Sequence, residues 1–363
     1  MSIKEQLASE DVNTRIEALT RFSEASESEL AELFKIVSED FNHQVREEAV
    51  EKILLHPESF RLFLADPDPQ VRISIINKSV EIRNALAEAG KLEKPETVIA
   101  QIKTLQSDSV SEVRSALARV LYKHCGTEAT DESRAFVLAN IVPILDNLLN
   151  DRHDDVRIAA SLNIKEITII FGFDFVFEQL YNSLHHMLTD TQWRVRNNAV
   201  ELLFGLALVC SQDFFDANLF QFLIQFLQDP CNKVRQFALS SLPTLAAKFG
   251  EEWLKKKLVV ALKDLAESQN YLHRETYLLT ISALVSFFPV QYQSNYVFQP
   301  MIRMLKDSVY NVVLLAIELL SKHKDSIHPF RRQYELKPIL ESLVDNSPVT
   351  IKDQASALLA DCQ

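Results

Sequence analysis

An arginine preceded by valine, with an aspartate six residues before it, recurs along this chain. The copies are Asp40…Val45-Arg46, Asp66…Val71-Arg72, Asp108…Val113-Arg114, Asp151…Val156-Arg157, Asp190…Val195-Arg196 and Asp229…Val234-Arg235. Partial copies centre on Arg15, Arg274, Val313 and Lys352. From Arg157 onward the anchor advances by 39 residues five times in succession, and the upstream steps are 31, 26, 42 and 43. A period near forty residues marks a helical solenoid, in which each repeat buries its apolar face against its neighbours and leaves a long surface for other molecules. The sequence therefore predicts an all-α solenoid of stacked antiparallel helix pairs wound into a curved superhelix. It is expected to run as one array over 1–363, irregular over 1–100 and regular over 101–363.

Aligning the copies on the arginine exposes the buried stripe of the second helix (B) of each pair. Three residues on stand Ala18, Ala49, Ala160, Ala199, Ala238, Ala316 and Ala355, and seven on stand Phe22, Ile53, Leu121, Ile164, Leu203, Leu242, Ile281, Leu320 and Leu359. Offsets of zero, three and seven share one face of an α-helix. The small residue lets neighbouring helices approach and the larger one fills the layer. An apolar first helix (A) precedes each anchor, as at 219–227 and 254–265. The aspartate is expected to cap a helix start. The arginine, with its planar fork, is expected to bind an aspartate of its own or the adjacent repeat, making a structural ladder that includes Asp151, Arg157, Asp190, Arg196, Asp229 and Arg235. Pro57, Pro67 and Pro69 predict truncated helices near the N-terminal end.

Only five glycines occur in 363 residues, too few for the turns of a strand-rich fold. No two of them lie closer than 33 residues, which excludes GxGxxG, the P-loop and the GxSxG elbow. There is no HExxH, and the nine histidines show no metal-ligand spacing. Cys125, Cys210, Cys231 and Cys362 are scattered without a CxxC pair, so neither a zinc site nor a disulfide framework is expected. No catalytic residue, cofactor or metal is predicted. The formal charge of −12 favours basic partners and disfavours a phosphate backbone, so no nucleic acid is expected. The N-terminal residues lack a signal-peptide core, and the longest apolar run, Leu202–Cys210, is too short to span a bilayer. Without membrane association, the expected location is cytoplasm or nucleus.

The position three residues before each anchor should lie at the exposed tip of the A–B turn. In order it holds Val12, His43, Pro69, Ser111, Asp154, Trp193, Asn232, Tyr271, Tyr310 and Val349. Large aromatics enter only from the sixth repeat onward, and Trp and Tyr are the types enriched at interface hot spots. Beside them stand Arg194, Lys233, Leu272 and Asn311. A protein-binding ridge is the expectation.

Three stretches resemble a known family. Asp190-Thr-Gln-Trp193-Arg194-Val195-Arg196, Phe249-Gly250-Glu251-Glu252-Trp253 and Asn270-Tyr271-Leu272-His273-Arg274 are similar to the C-terminal repeats of the scaffold (A) subunit of protein phosphatase 2A, a HEAT-repeat protein. Leu336-Lys337-Pro338-Ile339-Leu340 and the last repeat at Ile351-Lys352 extend the likeness, which covers roughly 185–363. The resemblance implies that C-terminal A–B turns hold a serine/threonine phosphatase catalytic subunit, with Trp193, Arg194, Tyr271, His273, Val309 and Asn311 on the ridge. It further implies a regulatory subunit on the N-terminal turns. Family members have fifteen repeats and this chain about ten, so much of that second surface is absent or shortened. Asn232 stands where the family has tyrosine, and Val313 where it has arginine.

The leading expectation is thus a non-catalytic HEAT-repeat scaffold that docks a phosphatase catalytic subunit. The alternative is a HEAT-repeat transport or assembly adaptor, marked by clustered Asp and Glu on the B-helix face. A nucleic-acid glycosylase-like repeat protein is the third.

Overall fold

The structure, a computed structural model, describes residues 1–92, 94 and 96–361; Cys362 lies outside them. The described residues form helices and links with no strand. Contacts divide the chain into two compact units, Met1–Asn198 and Ala199–Gln363.

All ten B helices begin at the position three residues before the anchor. In the first unit these are Val12–Thr20, His43–Glu51, Pro69–Glu88, Ser111–Val120, Asp154–Phe171 and the start of Trp193–Val209. In the second they are the start of the span Asn232–Trp253, which breaks at Gly250, then Tyr271–Ala283, Tyr310–Lys322 and Val349–Ala360. The alanine stripe is fully buried at Ala18, Ala49, Ala160, Ala199, Ala238, Ala316 and Ala355. The larger residues four positions on are equally buried, apart from Leu359, which is half-buried at the last helix. The fold is an all-α solenoid, and the 39-residue step of the sequence is one helix pair.

The third repeat departs from expectation. Its A helix is only the 3₁₀ segment Pro57–Phe63, but its B helix, Pro69–Glu88, is 20 residues long. Pro69 does not truncate it, because proline at a first helical position lacks an N–H that would have had no partner anyway.

Among the described residues, five A helices contain a π turn: Val137–Ile141, Phe215–Leu219, Leu254–Leu258, Ser294–Phe298 and Arg332–Leu336. In three of them a proline follows within two residues, at Pro143, Pro300 and Pro338. A proline cannot donate to the preceding turn, and the extra residue of a π turn absorbs that break as a kink.

Gly172 links one B helix to the next A helix at φ 88° and ψ 162°, and Gly250 does the same at φ 79° and ψ −178°. This region of backbone space is essentially restricted to glycine. No atom lies within 4 Å of a Cβ built at Gly172. Gly172→Ala should therefore cost about 1–3 kcal/mol through backbone strain alone. Denaturant titration checks this, and an unchanged midpoint would show that the link relaxes freely.

Candidate protein-docking edge

Every anchor arginine from Arg15 to Arg274 donates from Nη1 to the carbonyl six residues before it. The distances run from 2.6 Å at Arg46, Arg72 and Arg114, through 2.7 Å at Arg157, Arg235 and Arg274, to 2.8 Å at Arg15 and Arg196. At Arg15, Arg46, Arg72, Arg114, Arg157 and Arg274 the rest of the fork reaches the aspartate of the following repeat. In the first unit the rungs are Arg15–Asp40, Arg46–Asp66, Arg72–Asp108, Arg114–Asp151 and Arg157–Asp190, with closest N···O distances of 2.6–2.8 Å. In the second unit Arg274 pairs with Asp307 at 2.6 Å. Each is a two-pronged pair, as at Arg114, where Nε meets Asp151 Oδ2 at 2.6 Å and Nη2 meets Oδ1 at 2.8 Å.

The aspartates do not cap the B helices, contrary to the sequence expectation. Asp40, Asp66, Asp108, Asp151, Asp190, Asp229 and Asp307 each accept the N–H two residues on. That is a turn closed by an aspartate side chain across the link. The N-cap is a later residue, such as Asn42, Asp68 or Asn270. One carboxylate thus closes its own turn and receives the arginine of the previous repeat.

Arg235 does not make the carboxylate rung expected of it. Ser268 occupies the place of the next aspartate, so the buried guanidinium bonds only the carbonyls of Asp229 and Pro230 and Asn232 Oδ1. At Val313 the arginine itself is missing. The space is an open cleft of about 500 Å³ lined by Tyr310, Val313, Pro338, Leu343 and Ile351, among others.

Pairing sets the charge states. Arg46, Arg114 and Arg274 are held above the ordinary arginine value, chiefly by their bonds to Asp66, Asp151 and Asp307. At Asp151 and Asp307 burial pushes the pKa up, but the bonds from arginine and from a backbone N–H outweigh it and hold both below the usual carboxylate range.

At the tips, Trp193 is 38% exposed, Tyr271 37% and Tyr310 58%, each opening its B helix. In the first unit, Arg194 spans to Asp154 at 3.1 Å and Asp155 at 2.8 Å, so those paired carboxylates hold a guanidinium. In the second unit, Asn232, Lys233 and Asn311 are exposed. Leu272, His273 and Val309 are half-buried, and His273 Nδ1 lies 3.1 Å from Ser268 Oγ.

Acidic groups on the B-helix face fall in two sets, in the first two repeats and again at Glu201, Glu275, Glu318 and Asp353, with repeats four and five between them. Glu17, Glu47, Glu48 and Glu51 form the first set, with Lys52 and Lys78 against Glu48 and Glu51. The equivalent positions of repeats four and five hold Ser115, Ala116 and Arg119, then Ile158, Ala159 and Leu162.

Two features were invisible to sequence reading. Glu27, His56 and Glu58 bring ligand-type atoms within 4.8 Å of one another despite showing no ligand spacing. The Lys91 ammonium bonds both carboxylates, so a cation is already in place. Asn163, fully buried, accepts from Tyr122 N at 2.8 Å and donates to Ala118 O at 2.8 Å, tying neighbouring B helices together.

Comparisons with known proteins agree on the class. The HEAT-repeat family model matches residues 141–171, and the model for the non-SMC mitotic condensation complex subunit 1 matches residues 161–322. None of the curated proteins matches the sequence. Among solved structures, the karyopherin Kap121p is similar over 99% of this chain and 41% of its own, at 14% identity and a TM-score of 0.68. Kap121p bound to the extreme C-terminus of the protein phosphatase Cdc14p gives 14% identity, the same coverage and a TM-score of 0.66. Importin beta is similar over 99% of this chain and 49% of its own, at 13% identity and a TM-score of 0.60. The chain therefore spans less than half the length of these karyopherins. The likeness establishes a HEAT-type helical solenoid; the phosphatase 2A scaffold family is not among these findings. No helix among the described residues is long and apolar enough to cross a membrane.

Proposed function

We propose that this chain is a non-catalytic HEAT-repeat adaptor that binds other proteins along the exposed edge of its A–B turns. The observation that carries the reading is the placement of Tyr271 and Tyr310. They open consecutive B helices in the second unit and are 37% and 58% exposed, while every larger residue of the buried stripe in those helices is inside. Packing does not require an aromatic there, since Val12, Ser111 and Asp154 open other B helices. Kap121p has been solved bound to the extreme C-terminus of the protein phosphatase Cdc14p and bound to Pho4p, which supports a role in transport or assembly. Such an adaptor works in the cytoplasm or nucleus.

The charge distribution bears on the partner. A continuous acidic strip for a basic segment is missing, because repeats four and five interrupt it with apolar residues and Arg119. The turn edge is therefore the better docking surface than the B-helix face. A second reading uses the same residues: a serine/threonine phosphatase catalytic subunit on the turns of repeats six to ten, as the resemblance at Trp193, Arg194, Tyr271 and His273 suggests.

Capture of partners by the full chain, followed by affinity measurement on the main one, tests both readings. Tyr271→Ala combined with Tyr310→Ala should weaken binding by at least about 2 kcal/mol, roughly thirty-fold. Unchanged affinity would remove the turn edge from the interface. A phosphatase catalytic subunit among the captured proteins decides for the second reading, and its absence decides for the first.

A further inference from the structure

The arginines of the ladder show what a structural arginine looks like in this protein: a two-pronged carboxylate and a carbonyl. Arg83, half-buried on the B helix Pro69–Glu88, has neither prong. Its Nη1 donates to His124 O at 3.0 Å, and Nε and Nη2 reach only Asn84 Oδ1, each at 3.4 Å. No carboxylate of the described residues pairs with it. Burial alone lowers its pKa, so this cation is held partly out of water with no carboxylate of the described residues hydrogen-bonded to it.

Arg83 lines a cleft of about 630 Å³ in the first unit. His124 lines it too. Its Nε2 lies 3.0 Å from Ser79 Oγ, while Nδ1 is buried without a hydrogen-bond partner, and the residue is 2% exposed. Leu92 and Phe136 supply apolar walls beside Arg83. The volume falls in the range of sites that take a ligand of a few residues or a small organic molecule. Glu96 and Glu132 also line the cleft. Glu132 is exposed, where water screens its repulsion, and Glu96 is half-buried but makes no ion pair with Arg83, which sits where the dielectric is lower and a planar fork gains most from a carboxylate.

We propose that this cleft binds a peptide carboxylate flanked by an apolar side chain, with Arg83 as the charged anchor and the buried His124, whose carbonyl Arg83 bonds, beside it in the wall. It deepens the reading of the chain as a protein-binding adaptor and lies on different residues from the Tyr271 and Tyr310 edge. The carboxylate comes from an acidic side chain or from a chain terminus.

Three probes separate these cases on the full chain: acetyl-Phe-Glu-Phe-amide, its neutral counterpart acetyl-Phe-Gln-Phe-amide, and acetyl-Phe-Phe with a free C-terminal carboxylate. Binding is read from the ring-nitrogen resonances of His124 in histidine-labelled protein. One carboxylate probe should shift those resonances saturably and bind at least ten-fold more tightly than the neutral probe, and which one does so identifies the source. Arg83→Gln should abolish that ten-fold advantage, and Arg83→Lys, which keeps the charge without the fork, should retain part of it. Equal binding of all three probes, or no shift with any, overturns the proposal, as does an unchanged advantage in Arg83→Gln. Carboxylate binding that survives Tyr271→Ala with Tyr310→Ala leaves the cleft standing even if the turn-edge reading fails.

Discussion

Replacing Arg114 with methionine should lower the stability of the first unit by roughly 3–5 kcal/mol. The side chains of Arg114 and Asp151 are only 4% and 8% exposed, so the loss of one partner strands a buried charge. Methionine fills much of the volume, which makes the expected loss electrostatic and not a cavity effect. Adding Asp151→Asn should recover most of it. The asparagine carries no charge, and its oxygen still accepts the His153 N–H that closes the turn. Guanidinium titration of the wild type, both single variants and the pair gives the coupling directly. A single variant within about 1 kcal/mol of wild type would mean that the ladder aligns repeats without stabilising them. The contrast is the exposed pair Lys4–Glu32, with side chains 50% and 57% exposed, where loss of either partner should be hardly measurable.

Acid should destabilise the first unit well above the range where carboxylates titrate, and His124 is the reason. Burial, with Arg83 nearby, lowers its pKa from an ordinary 6.5 to about 3. Below pH 6.5 the unfolded chain takes up a proton that the folded chain refuses. The stabilising contribution is therefore complete above pH 6.5 and declines as pH falls toward 3. At about 1.4 kcal/mol per pH unit, the loss reaches about 2 kcal/mol by pH 5. His124→Gln removes the titrating group and should flatten the melting-temperature profile between pH 7.5 and 5. The buried aspartates do not confuse this window. Asp151 and Asp307 have folded pKa values below the ordinary 3.8, so the stability they add is intact at pH 5 and is lost only as pH falls through those lower values. His323, also lowered by burial, acts in the same direction in the second unit. An unchanged slope in His124→Gln would mean that His124 does not cause the effect.

The resemblance to the phosphatase scaffold illustrates how far short words carry. In Trp193-Arg194-Val195-Arg196, Val195 is fully buried and Arg196 bonds the Asp190 carbonyl at 2.8 Å. Both residues are required by the stacking of one helix pair on the next, whatever the solenoid binds. Such words report the repeat class, which the HEAT-repeat and condensation-subunit models also match. Only the exposed residues between them, Trp193 and Arg194, bear on a partner, and two residues are too few to name one.

What the sequence determined by itself is everything that depends on local spacing. The 39-residue step, the buried alanines from Ala18 to Ala355 and the start of every B helix three residues before its anchor follow from helical period and turn chemistry, which act over a few residues. Tertiary structure decided what depends on groups far apart in the chain. It chose the following repeat's carboxylate as the partner of Arg15, Arg46, Arg72, Arg114, Arg157 and Arg274, left Arg235 without such a rung, and opened the cleft at Val313. It also gathered Arg83, His124 and Phe136 around one cleft. The physical reason is that burial and pairing are properties of the stack, and a residue's own neighbours in sequence do not fix which charge it will find across the next helix.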